Sequence, residues 1–174
     1  SSFNKNSRTA EAVESKKSFY LDLDCGPGKE FADKKDALRK FVGFCKAAKI
    51  PTPSIIVDSG NGIHTYWVLN KSITPKQWLP IAEALKNACE EHDFPADGSV
   101  NSDTYKILRA PESVNYKDIK HPKPCTVFKD SGKDYSYEEI RHTLLGHMAP
   151  VGLQAVPSVL EDDGALSGSM TNNF

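Results

Sequence analysis

Two apolar runs flanking Ser59-Gly60-Asn61-Gly62 restrict the fold of this chain more than any other feature. Ile55-Ile56-Val57-Asp58 leads into the tip, and Ile63-His64-Thr65-Tyr66-Trp67-Val68-Leu69 leaves it. Both runs are rich in β-branched and aromatic residues, which suit a pleated, half-buried surface. A short glycine-containing connection between such runs joins them as an antiparallel hairpin. A hairpin in mid-chain argues against a purely parallel sheet.

The flanking segments supply the rest of the architecture. Residues 18–24, Ser-Phe-Tyr-Leu-Asp-Leu-Asp, read as a strand that Cys25-Gly26-Pro27-Gly28 turns. Asp33 caps a predicted helix running to about Lys49, with an apolar stripe of Leu38, Phe41, Val42, Cys45 and Ala48. Pro51 and Pro53 end it. A second helix is marked by Thr74 as cap, Pro75 at its first position and Gln77 closing a capping box. Its stripe is Trp78, Ile81, Ala82, Leu85, Ala88 and Cys89, and it should end near His92. A loop with Asp97, Gly98 and Asp103 follows, then a strand-like piece at 105–108 and a short strand at 125–128. Ser136-Tyr137-Glu138-Glu139 opens a last helix to about Leu145.

These elements pack as an α/β (α+β) domain, a mixed and mostly antiparallel sheet covered by helices on one face. The expected domain spans 18–150. Residues 1–17 are polar and without period, and read as a frayed helix or linker that is truncated at its start. The opening Ser-Ser-Phe-Asn-Lys lacks Met and reads as a piece excised from a longer protein. Residues 151–174, rich in Ser, Gly, Asp and Asn, read as a flexible tail or interdomain linker.

Composition narrows the function classes. A net charge of −1 argues against bulk electrostatic binding of nucleic acid, while 22 Lys and Arg suffice for a local basic groove. No apolar run approaches the ~20 residues that span a bilayer. No secretory leader is visible, so the expected setting is cytoplasmic with no membrane partner. The four cysteines, Cys25, Cys45, Cys89 and Cys125, form no CxxC pair, so the spacing indicates no zinc site. Cys45 and Cys89 fall on apolar helix faces, as reduced core thiols do.

The chemistry centres on Asp22 and Asp24. On a strand, residues two apart share a face, with Cα atoms roughly 6–7 Å apart. Leu21 and Leu23 then anchor the opposite face. Adjacent carboxylates repel, and one or two divalent cations such as Mg2+ compensate them with hard oxygen ligation. Gly60 and Gly62 clear side chains from the hairpin tip or allow positive φ, and successive N–H groups there can form an anion-binding concavity. His64 sits just past that turn. Gly60-Asn61-Gly62 fails as a dinucleotide fingerprint because Thr65 stands at the third glycine position. Gly28-Lys29 fails as a P-loop because Leu23 replaces the first glycine and Glu30 follows the lysine. Asp97 is the first candidate for a third carboxylate, Asp103 the second, and Asp58 a further one. Lys106, Arg109 and Lys117 offer cations for phosphates.

In this pattern the chain resembles the archaeo-eukaryotic primase superfamily, and most of all the primase-polymerase domains of phages, plasmids and mobile elements. Leu21-Asp22-Leu23-Asp24 is similar to that family's acidic strand motif. Ser59-Gly60-Asn61-Gly62-Ile63-His64 is similar to its Gly-led SxH-type strand, and Ala96-Asp97 to its hydrophobic-Asp motif. The stretch from Tyr105 through Arg109, Pro111 and Asn115 to Lys117 looks like the segment that follows in the phage group.

The resemblance covers about residues 18–118 and implies an RNA-recognition-motif-like catalytic core. It implies Asp22, Asp24 and Asp97 as holders of Mg2+ or Mn2+, and His64 as a contact to the triphosphate of an incoming NTP or dNTP. Ser59, Arg109 and Lys117 would be supporting phosphate or sugar contacts, with Gly60 and Gly62 in the nucleotide-binding turn. The implied partners are a single-stranded DNA template and a fused or associated helicase. Two functions follow. One is DNA-templated nucleotidyl transfer, making or extending primers in replication. The alternative is a replication-initiator module that binds DNA without synthesis.

Overall fold

A computed structural model describes residues 1–3, 9–96 and 104–147. Asp97, Gly98, Asp103 and the expected tail at 151–174 lie outside the described residues. Among the described residues the strands are β1 (Ser2–Phe3), β2 (Val13–Asp24), β3 (Ile55–Asp58), β4 (Gly62–Ile73), β5 (Val114–Asn115), β6 (Lys123–Pro124) and β7 (Thr126–Asp130). The helices are α1 (Lys34–Ala47), α2 (Pro75–Glu91) and α3 (Tyr137–Leu144), with short 3-10 turns at Ala10–Ala12 and Leu145–His147. The main sheet has the order β1-β2-β4-β3-β7, and each of its pairs is antiparallel. β5 and β6 form a separate two-stranded ribbon.

The helix starts follow the capping chemistry in the sequence. Asp33 accepts from the Asp36 N–H at 2.8 Å. Thr74 with Gln77, and Ser136 with Glu139, form complete capping boxes. α2 ends at Glu91 with His92 as its C-cap.

Alternation along β2 and β4 sorts the sheet into two faces. Phe19, Leu21, Leu23, Ile63, Trp67 and Leu69 are buried in the core shared with the helices. Phe19 stacks on Trp78 of α2 at 5.9 Å between ring centroids, and Trp67 meets Phe41 of α1 at 6.0 Å. Asp22, Asp24, His64 and Tyr66 fall on the opposite face by the same period of two.

The structure departs from the sequence expectations in four places. β2 begins at Val13, within the stretch expected to be a linker. Its register with β1 pairs Ser2 with Ser15. Lys16, which masks the strand pattern, is buried: its ammonium lies 4.1 Å from the Trp78 ring centroid and donates to the Thr104 carbonyl at 2.8 Å. β4 runs on through Asn70-Lys71-Ser72 to Ile73, past the expected end at Leu69. Residues 105–108 are no strand; a turn at 104–105 leads into irregular chain, and Ile107 is exposed. In α1, Val42 is half exposed while Ala37 and Phe44 are buried. Phe94, beyond α2, stacks on Phe44 at 4.5 Å and so widens the helix face that the core uses.

Candidate active site

The candidate site lies at the end of β2, on the sheet face away from the helices. Leu21 and Leu23 are fully buried and hold the strand, while Asp22 and Asp24 project to the other side. The ladder sets Asp22 opposite His64 and Asp24 opposite Gly62. His64 Nε2 stands 3.5 Å from Asp22 Oδ1. Both carboxylates and His64 line one cavity of about 470 Å³. Arg109 and the chain from Val114 to Lys117 form its opposite wall. That volume lies in the range of small-ligand sites.

The two glycines act within the protein. A Cβ on Gly62 would sit 2.4 Å from the Leu23 carbonyl oxygen, so the close approach of β4 to β2 requires glycine here. Gly60 has φ +88°, and a Cβ there would meet Lys123 Cβ at 2.8 Å. Two N–H groups of the hairpin tip have partners within the hairpin. Ser59 N–H donates to the Gly62 carbonyl at 3.0 Å, and Gly60 N–H to Asp58 Oδ1 at 2.8 Å. Those donors are used inside the hairpin, and the tip contributes the side-chain edges of Ser59 and Asn61 to the cavity instead.

Asn115 ties the walls together. It is 1% exposed, its Nδ2 donates to the Ser59 carbonyl at 2.7 Å, and its Oδ1 accepts from the Lys117 N–H at 3.0 Å. Lys123 of β6 donates to Asn61 Oδ1 at 2.8 Å. The β5–β6 ribbon is thereby fastened to the hairpin tip and sets Lys117 and Tyr116 over the acidic pair. In the sequence, Asn115 stands only as one residue of the family-like segment. A single Asn between Val114 and Tyr116 carries no further signal.

Other candidates are placed elsewhere. Asp58 forms an ion pair with Lys34 of α1 at 2.6 Å and does not line the cavity. Lys106 lines a neighbouring groove over Tyr20 and Tyr66, and Arg109 borders both spaces.

The electrostatics are local. The Lys29 ammonium, 2.8 Å from Asp24 Oδ2, holds that carboxyl below the usual range, against a smaller opposing effect of burial. Burial, followed by the Arg109 charge, pushes His64 down to about 4, so its imidazole is neutral at neutral pH. Burial, reinforced by Asp22, pushes Tyr66 up, so its hydroxyl keeps its proton. Tyr66 Oη lies 3.3 Å from His64 Nδ1. His64 thus lies between the Tyr66 hydroxyl at Nδ1 and Asp22 at Nε2.

The donor set suits a hard divalent cation. It consists of carboxylate oxygens two apart on one strand, with side chains 20% exposed for Asp22 and 49% exposed for Asp24. The cysteines form no disulfide. Burial pushes the thiols of Cys45 and Cys89 up to about 12, as the reduced-core reading expects. No helix among the described residues is long and apolar enough to cross a membrane.

Comparison with known proteins agrees with this architecture. No protein-family model matches the chain. A curated replication protein of Clostridium perfringens is 26% identical over 150 residues, which make up 85% of this chain and 35% of that protein. The chain thus spans about a third of that relative's length. Among solved structures, the archaeo-eukaryotic primase domain of the cyanophage S-2L primase-polymerase superposes with a TM-score of 0.58 at 18% identity. The match covers 79% of this chain and 64% of that one. The chain therefore shares the fold of that domain, the mixed α/β fold the sequence leads one to expect.

Proposed function

We propose that this chain, with its primase-polymerase fold, is the catalytic domain of a DNA-templated nucleotidyltransferase that makes or extends primers in replication. One observation carries the reading. Asp22, Asp24 and His64, on two paired strands, face a single cavity with Arg109 and Lys117. Carboxylates suited to a metal and cations suited to phosphates thus share one cavity of about 470 Å³.

In this reading Asp22 and Asp24 hold Mg2+ or Mn2+, with Asp97 as the third carboxylate. Bound there, two such ions supply activation of an attacking 3′-hydroxyl and charge stabilisation at the leaving pyrophosphate. The remaining work belongs to side chains. His64, neutral, donates a ring N–H to a phosphate oxygen without adding a fixed charge. Arg109 and Lys117 neutralise the triphosphate, and Ser59 borders it. Asn115 fixes the distance between the hairpin tip and Lys117. Single-stranded DNA is the template, and NTPs or dNTPs are the substrates. A helicase, fused or associated, is the further partner the reading calls for.

A synthesis assay tests this with Mg2+ or Mn2+, labelled nucleotides, and single-stranded DNA with and without a primer. Product that disappears in a folded Asp22→Ala/Asp24→Ala variant is the expected result. Full activity in that variant refutes the site. No product, together with sequence-selective DNA binding that ignores Mg2+, would favour the replication-initiator module instead.

A further inference from the structure

The C-terminal end of α2 carries charge of the unfavourable sign. Glu90 and Glu91 lie in its last turn, which holds no basic residue. The carbonyl end of a helix already bears partial negative charge, so carboxylates there are destabilising and a cation is favoured. Lys86 offsets Glu90 at 3.6 Å. Glu91 instead meets His147 Nδ1 at hydrogen-bond distance, although the two residues are 56 positions apart.

His92, the C-cap, completes a cluster. Its ring stands 5.9 Å from that of His147, centroid to centroid, and packs edge-on against Phe44 at 6.2 Å. One ligand atom from each of Glu91, His92 and His147 lies within 4.8 Å of the others. The backbone is fixed as well, since Asn87 Nδ2 donates to the His147 carbonyl at 3.0 Å.

The geometry points to a second metal site: Glu91, His92 and His147 bind one ion of the Zn2+ class and staple the end of α2 to the Leu145–His147 turn. Two imidazole nitrogens and a carboxylate suit Zn2+ or Co2+ better than Mg2+, which prefers an all-oxygen shell. Three protein ligands leave one tetrahedral position for water. Because the ligands come from segments far apart in sequence, no local spacing of Cys or His announces the site. The proposal does not depend on the catalytic reading.

The test uses the full chain without an affinity tag, stripped with a chelator and then titrated with Zn2+ or Co2+. One equivalent should bind, Co2+ should show the intense visible bands of a four-coordinate site, and Zn2+ should raise Tm. His92→Ala and His147→Ala should each weaken Zn2+ binding at least ~10-fold, the loss that even outer-shell changes cause at metal sites. Asp22→Ala/Asp24→Ala should keep the Zn2+ effect. If His147→Ala does not fold, His92→Ala and Glu91→Gln decide. Unchanged Zn2+ affinity in the cluster variants, or no stoichiometric binding to the parent chain, overturns the proposal.

Discussion

Gly62→Ala is the substitution through which the geometry of the candidate site can be tested most directly. The added Cβ would stand 2.4 Å from the Leu23 carbonyl oxygen, whereas ordinary contact begins at 3.4 Å. The obstacle is backbone, so β4 and β2 must separate locally by about 1 Å, a fifth of the ~4.8 Å between paired strands. That shift strikes the ladder between Asp22↔His64 and Asp24↔Gly62. Overpacking of this kind costs about 1–3 kcal/mol, and a weakened ladder hydrogen bond about 1 more. For a domain of this size the sum corresponds to a Tm lower by roughly 5–15 °C. A ~1 Å misplacement of reacting groups can reduce synthesis ~100-fold. Gly132→Ala is the control: its φ is +64° and a Cβ there meets nothing within 4 Å. It should lose only the ~1–2 kcal/mol of a left-handed non-glycine residue and keep full activity. Thermal denaturation, hydrogen exchange of the β2–β4 amides and the synthesis assay read the outcome. A Gly62→Ala protein as stable as Gly132→Ala, with unchanged amide protection, would refute the reasoning.

Asn115→Leu removes the link between Ser59 and Lys117 and leaves buried backbone groups unpaired. Urea unfolding should show a loss of about 1–3 kcal/mol, and KM for nucleotide should rise more than kcat falls. His64 makes the metal-free protein sensitive to acid. Its folded pKa of about 4 lies below the unfolded value, so the unfolded chain takes up a proton that the folded chain refuses. Stability should therefore fall by about 2–3 kcal/mol between pH 7 and pH 4.5, and His64→Gln should flatten that slope in urea titrations. Lys29→Ala removes an exposed ion pair and should change stability by no more than about 1 kcal/mol. The same change should tighten Mn2+ binding by ~2–5-fold, because the competing cation at Asp24 is gone.

Much of the fold was legible because local signals and tertiary demands agree. The capping residues Asp33, Thr74 and Ser136 begin their helices as expected. The 59–62 tip joins β3 to β4 as expected, and alternation puts Leu21 and Leu23 of β2 and Trp67 of β4 inward. The signals failed where a tertiary partner overrides local character. Lys16 reads as solvent-facing, yet Trp78, 62 residues on, and the Thr104 carbonyl receive its ammonium. Val42 fits the helical stripe of α1, but Phe94 lies against Phe44, two residues on and about 200° round the helix, and that face wins.

The site divides along the same line. Residues that share a strand or a hairpin, Asp22 with Asp24 and Ser59 with His64, could be placed from spacing alone. Asn115 could not, because its value lies in two hydrogen bonds that join segments remote in sequence. The carboxylate pair also carries less weight by itself than its repulsion suggests. Lys29 already offsets Asp24, and His64 Nε2 lies 3.5 Å from Asp22. Such a pair can persist in a fold with no cation at all. What separates this pair from an ordinary charged strand end is the opposite wall of the cavity. Arg109 and Lys117 line the same cavity as the two acids, and their charges are felt at His64 and Asp24. In the proposed reading, cations and carboxylates that share one cavity would be bridged by a ligand carrying both charges, a polyphosphate with its divalent metal.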